Sequence, residues 1–155
     1  MKSLITLLLC FSLAACMTTY RISADEENKP LANNEGYFGL VFNTLDPLKN
    51  IQFKNKETGE EFYEGRVEKG IHQLTMRVPE GEYCLIGFDV YNWRVDYKEQ
   101  GFCTYVEAGE VNYFGEFLVR DPVTVANDNY PRYVHLLAKQ FPQLCQNYIG
   151  EECQL

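Results

Sequence analysis

Residues 74–91 read LTMRVPEGEYCLIGFDVY, and the fold is decided in this stretch. Leu74, Met76 and Val78 alternate with Thr75 and Arg77, the period of a half-buried strand. Pro79-Glu80-Gly81 then stops the ladder. Proline has no amide proton to donate, and glycine tolerates the backbone angles of a reversal. Tyr83 to Tyr91 resumes as an apolar strand, so the segment reads as two strands around a tight turn.

Working outward, the same period recurs. Upstream, Phe38, Leu40 and Phe42 share one face of a first strand, and Ile51 and Phe53 open a second. Lys56-Glu57-Thr58-Gly59 is a turn, after which Phe62 and Tyr63 lead a third strand to about Val67. Downstream, Phe102 to Val106 and Val111 to Val119 flank the turn Ala108-Gly109-Glu110. The expectation is a mainly β fold, a single antiparallel β-sandwich of about seven strands. The 11 tyrosines and 10 phenylalanines suit the half-buried faces of such sheets.

The period changes near the C-terminus. Tyr130, Tyr133, Val134, Leu137, Phe141 and Leu144 fall on one face of a helix. Asp128 or Asn129 can cap it, Pro131 is tolerated in its first turn, and Pro142 should stop it near Gln140. One amphipathic helix should therefore lie across a sheet face or an open end. Its polar face offers only Arg132, His135 and Lys139 as cations, which disfavours a membrane-surface role.

The turn chemistry resembles a known type. Val78-Pro79-Glu80-Gly81-Glu82-Tyr83 resembles the V-P-x-G-x-Y step of transthyretin-like and carboxypeptidase-regulatory-like sandwiches. Phe102 to Tyr113 is similar to their next hairpin, and Asn55 to Gly59 to their N-x-x-T-G turn. The likeness spans about residues 36–144. It implies a sandwich found in small bacterial lipoproteins, and no particular function.

The N-terminus gives an address. Lys2 precedes an apolar run from Leu4 to Leu13, too short for a stable span of roughly 20 residues but suited to a secretory leader. Leu13-Ala14-Ala15-Cys16 resembles the lipobox of bacterial lipoprotein precursors, which implies cleavage before Cys16 and acylation of its sulfur, with palmitate among the acyl chains. Met17, where an aspartate favours inner-membrane retention, implies the outer membrane, with the domain facing the periplasm. The expected organisation is a leader at 1–15, a lipidated flexible tether at 16–35 and a domain at 36–155. The tether reading rests on the polar run from Met17 to Glu35, whose acidic Asp25-Glu26-Glu27 lacks a calcium-loop pattern.

Cys10 falls in the leader, so four cysteines remain beside the lipidated one: Cys84, Cys103, Cys145 and Cys153. An even number in an exported domain reads as two disulfides, with three pairings open. Consecutive strands favour Cys84–Cys103, and a bend at Gly150 favours Cys145–Cys153. No C-x₂-C pair supports a zinc site, and neither a metal nor a cofactor is expected.

Losing residues 1–15 removes one basic residue, Lys2, leaving 13 basic against 22 acidic residues, a net charge of −9. Such a surface repels nucleic acid. His72 and His135 belong to no metal pattern, and no G-x-S-x-G elbow exists. The aromatic run Tyr91-Asn92-Trp93-Arg94-Val95-Asp96-Tyr97 stands out in the connection after the fifth strand. Tyr91, Trp93, Arg94 and Tyr97 are residue types favoured at binding surfaces, for an envelope protein or a glycan. Equally, Trp93 could fold back over the core. The functional expectation is a lipid-anchored envelope binding or scaffold module without catalysis. The alternative is a cell-wall hydrolase using a carboxylate pair.

Overall fold

The computed structural model describes residues 20–98, 101–120 and 123–154. The leader and Cys16 lie outside them. Among the described residues, nine strands form two sheets. They are β1 (Glu35–Thr44), β2 (Leu48–Asn55), β3 (Glu61–Val67), β4 (Gly70–Pro79), β5 (Gly81–Val90), β6 (Trp93–Asp96), β7 (Phe102–Val106), β8 (Val111–Arg120) and β9 (Val123–Asn127). One sheet has the order β4-β1-β8-β9, and the other β3-β2-β5, with β6 and β7 both paired to β5. The mainly β sandwich is as expected. One ladder is not antiparallel: β1 and β8 run parallel, which long-range closure of the sheet imposes and no turn signal announces.

The two faces that meet are apolar in alternation, as the sequence pattern requires. Phe38, Leu40 and Phe42 from β1, Ile51 and Phe53 from β2, and Phe88, Phe117 and Met76 from other strands are fully buried. Aromatic pairs run through this layer, such as Phe53 on Phe62 at 5.2 Å between ring centroids and Phe42 on Phe117 at 5.7 Å. Each such ring removed from water contributes about 1.5–3 kcal/mol. At Asn55 the side-chain oxygen accepts the amides of Glu57 and Thr58, and Gly59 takes a φ of +74°. That is the local chemistry of the turn read there.

The other face of the four-stranded sheet is also covered. Helix α1 (Tyr130–Gln140) packs Tyr133, Val134 and Leu137 over Tyr37 and Val41 of β1. The close seat depends on Gly39, where a Cβ would stand within 2.7 Å of Tyr133 Cε2 and nearer still to its hydroxyl. Two expectations change here. Asn129 occupies the N-cap, yet its amide does not cap the helix; it donates at 2.6 Å to the buried carboxylate of Glu116 on β8. Asn43 and Arg132 donate to the same carboxylate, so the cap residue is spent on fixing the helix to the sheet. Pro142 does end α1, and then begins a second helix, α2 (Pro142–Tyr148), at a position where its missing amide costs nothing.

The tether reading is corrected for its described part. Tyr20 to Ile22 lie along the free edge of β4, with Arg77 N–H donating to Tyr20 O at 2.8 Å and Ile22 N–H to Thr75 O at 3.1 Å. Ile22 is buried, and Tyr20 packs edge-on against Phe62 across the seam of the sandwich. Glu27 caps α2, accepting the amides of Gln143 and Leu144. Polar composition concealed a few well-placed contacts.

Candidate functional site

Position in the sheets sorts the aromatic run. Val90 pairs with Trp93, so Tyr91-Asn92 is a two-residue turn and Trp93–Asp96 is strand β6, not a loop. Strand alternation sends Val95 and Tyr97 toward the core and Arg94 and Asp96 to the outer face. Tyr97 packs against Phe88 and Phe102 at 6.0 and 5.2 Å, and burial pushes its phenol pKa up. Tyr97 is therefore half-buried against the core and stands apart from the exposed patch. Trp93 follows the inward parity but stands at the rim, 72% exposed, and Tyr91 is 63% exposed. Covering of the core by Trp93 is not what the fold does with it.

Tyr91 also holds a φ of +51°, a left-handed conformation that glycine or asparagine adopts more readily. Its hydroxyl donates at 2.5 Å to Asp46 in the β1–β2 connection, which raises the tyrosine pKa. Leu45 beside it is 62% exposed. The start of β4, the end of β8 and the start of β9 lie at the same end, bringing exposed Ile71 and Val123 there. Among the described residues, one end of the sandwich thus gathers exposed Leu45, Ile71, Tyr91, Trp93 and Val123.

The second surface is the outer face of the five-stranded sheet, which no helix covers among the described residues. Two bulges shape it. Register slips between Gln52 and Phe53 leave Ile86 as the extra residue on β5, and a second slip beside Lys49 puts Asn50 at a φ of +47°. Bulges bend a strand and re-aim side chains. At the first, β5 pairs with β6 on one side of the bulge and with β7 on the other, and Asp96, Lys98 and Gly101 form one wall of a cleft of about 570 Å³. Lys54, Lys56, Ile86, Asp96 and Lys98 line it, with Cys84 in its floor. At the second, Asn50, Gln52, Tyr63, Asp89 and Arg94 line an open depression of about 550 Å³.

Arg94, expected beside Trp93, is here. Its guanidinium lies over Gly87, where a Cβ would stand 3.1 Å from Nη2. It donates to Asp89 at 3.1 Å, to Asn50 O at 3.0 Å, and to Gln52. Asn50 donates to Asp89 at 2.6 Å, and that bond, with Arg94, holds the Asp89 carboxyl below the usual carboxylate range. Sequence reasoning missed Lys54, Lys56, Tyr63 and Lys98. The signal was available in the outward parity of Gln52 and Lys54 against buried Ile51 and Phe53.

Both expected disulfides are present. Cys84 and Cys103 are directly opposed partners of β5 and β7 with Cα atoms 4.0 Å apart. Cys145 and Cys153 join α2 to the last turn, Gly150–Gln154, across 5.8 Å. His135 is exposed on α1, and His72 faces Lys69 O at 3.2 Å. Among the described residues no three His, Cys, Asp or Glu side chains gather as a metal site, and each of the two depressions is lined by one carboxylate. Compared with family models, curated proteins and solved structures, the chain matches none.

Proposed function

We propose that this chain is a lipid-anchored binding module of the cell envelope, tethered through Cys16 to the outer membrane and facing the periplasm, which engages an envelope protein through the Tyr91–Trp93 tip. One observation carries the reading. The described chain begins at Tyr20 on the end of the molecule opposite the tip: residues 20–22 run antiparallel to Arg77–Thr75, and Tyr20 hydrogen-bonds Glu60 at the start of β3. Tyr20 stands opposite Arg77, seven residues along β4 from Gly70 at the tip end, so Tyr20 and that end lie about 24 Å apart. A tip held away from its anchor is placed for a partner. An aromatic residue kept in a left-handed turn supports the same reading, since strain of this kind collects at functional positions.

The test uses the only tryptophan in the chain as its reporter. The acylated full chain is placed in vesicles that contain brominated lipid. Iodide in the water should quench Trp93 emission, and the brominated lipid should not. Quenching by the lipid would show a tip that inserts into the bilayer and would overturn the reading. Mass spectrometry of the mature N-terminus should show an acylated Cys16, and an unmodified terminus elsewhere would remove the anchor.

A further inference from the structure

We infer that the open face of the five-stranded sheet binds an acidic oligosaccharide, with its carboxylates in the lysine cleft and a sugar ring against Tyr63. The inference uses none of the tip residues, so the two proposals stand or fall separately.

Charge is the first argument. The chain carries a formal net charge of −8, yet the cleft is lined by Lys54, Lys56 and Lys98 against one carboxylate, Asp96. Lys54 meets Glu61 at 3.4 Å and Lys56 meets Glu82 at 3.6 Å, both pairs well exposed. Exposed pairs of this kind contribute little and exchange readily for another anion. Lys98 has no ion pair among the described residues. An anion entering the cleft finds three ammonium groups beside the apolar side chains of Ile86 and Cys84.

Shape and the neighbouring groups narrow the class. Gln52 and Lys54 are two residues apart on one strand face, about 7 Å, so the cleft and the Tyr63 depression form one strip. Tyr63 pairs across from Gln52 and is 42% exposed, an aromatic platform flanked by hydrogen-bonding side chains. Asn50, Gln52, Asp89 and Arg94 offer both donors and acceptors, the mixture that sugar hydroxyls need. They are held by one another before any ligand arrives, which lowers the ordering cost of binding. A neutral glycan would leave the lysines unused, and a free small anion would leave the Tyr63 shelf unused. Nucleic acid, a dense polyanion, is repelled by the rest of the acidic surface.

Calorimetry on the purified full chain tests this with uronate tetrasaccharides of galacturonate, guluronate and glucuronate, their carboxyl-reduced neutral counterparts, and inorganic phosphate. At least one uronate should bind, its affinity should fall with salt, and its reduced counterpart should bind at least about tenfold more weakly. Tyr63→Ala, and separately Lys54→Gln with Lys56→Gln, should each weaken it by about tenfold or more. Trp93→Ala should leave it unchanged. Binding of none of the uronates would overturn the inference. So would binding unaffected by these substitutions, or phosphate binding as well as the best uronate. Circular dichroism and thermal unfolding of each variant separate loss of binding from loss of fold.

Discussion

At the residue scale, small differences in position decide what each side chain does. Gly39 is fixed by the buried Tyr133 above it, whose ring a methyl group would overlap. Gly39→Ala should cost about 1–3 kcal/mol in denaturant unfolding, as overpacking against a rigid ring does. Glu64 is the reverse case, a buried carboxyl on β3 with its Oε1 unpartnered. Burial raises its pKa above the usual 4.5, although Arg21 opposes the shift. Because the folded pKa is the higher one, the fold binds this proton more tightly than the unfolded chain does. The site therefore favours folding below 4.5 relative to neutral pH, and that advantage is lost as pH rises through the raised folded value. Glu64→Gln should thus be more stable than the wild type at pH 7, with the gain shrinking as pH falls toward 4. A gain that grows on acidification would contradict the assignment. Trp93 shows what sequence alone leaves open: its type suits both a core and an interface, and only its rim position separates them.

At the element scale, the strands were legible wherever alternation and a turn coincide, as around Pro79-Glu80-Gly81 and Asn55 to Gly59. β6 was not, because Trp93, Val95 and Tyr97 look like a cluster until Arg94 and Asp96 are seen as the opposite face of a strand. Of the four residues singled out there, Trp93 and Tyr91 are exposed, Tyr97 is half-buried against the core, and Arg94 belongs to another surface. The open face was only partly legible, since Gln52 and Lys54 show their outward parity on β2 while Lys98 lies beyond β6 and only the pairing of the sheet brings it beside them. The segment before β1 was missed because a strap needs few apolar residues. Ile22→Ala should cost about 2 kcal/mol or more. Glu27→Ala should cost about 1 kcal/mol through the lost cap of α2. Opening the Cys145–Cys153 bridge with serines should remove about 2.5 kcal/mol in the chain-entropy account. All three are read by denaturant unfolding of the full chain.

At the scale of the whole molecule, three layers give the two sheets different fates. Among the described residues, the helices cover the outer face of one sheet, which makes β1 buried on both sides, and leave the outer face of the other uncovered. The short Tyr20–Ile22 segment lines the β4 edge, with Tyr20 toward the end opposite the aromatic tip. Charge is uneven at this scale as well, since an acidic chain gathers three lysines in one cleft. We propose that Trp93 serves a partner and not the fold. The most direct test is Trp93→Ala in the acylated full chain, with thermal unfolding measured beside binding to envelope prepared from cells that lack the protein. The expected result is unfolding within about 0.5 kcal/mol of the wild type, as for surface substitutions, with envelope binding beyond the lipid's own contribution lost. A loss of about 3–5 kcal/mol in stability, with envelope binding retained, would put Trp93 in the core and contradict the account.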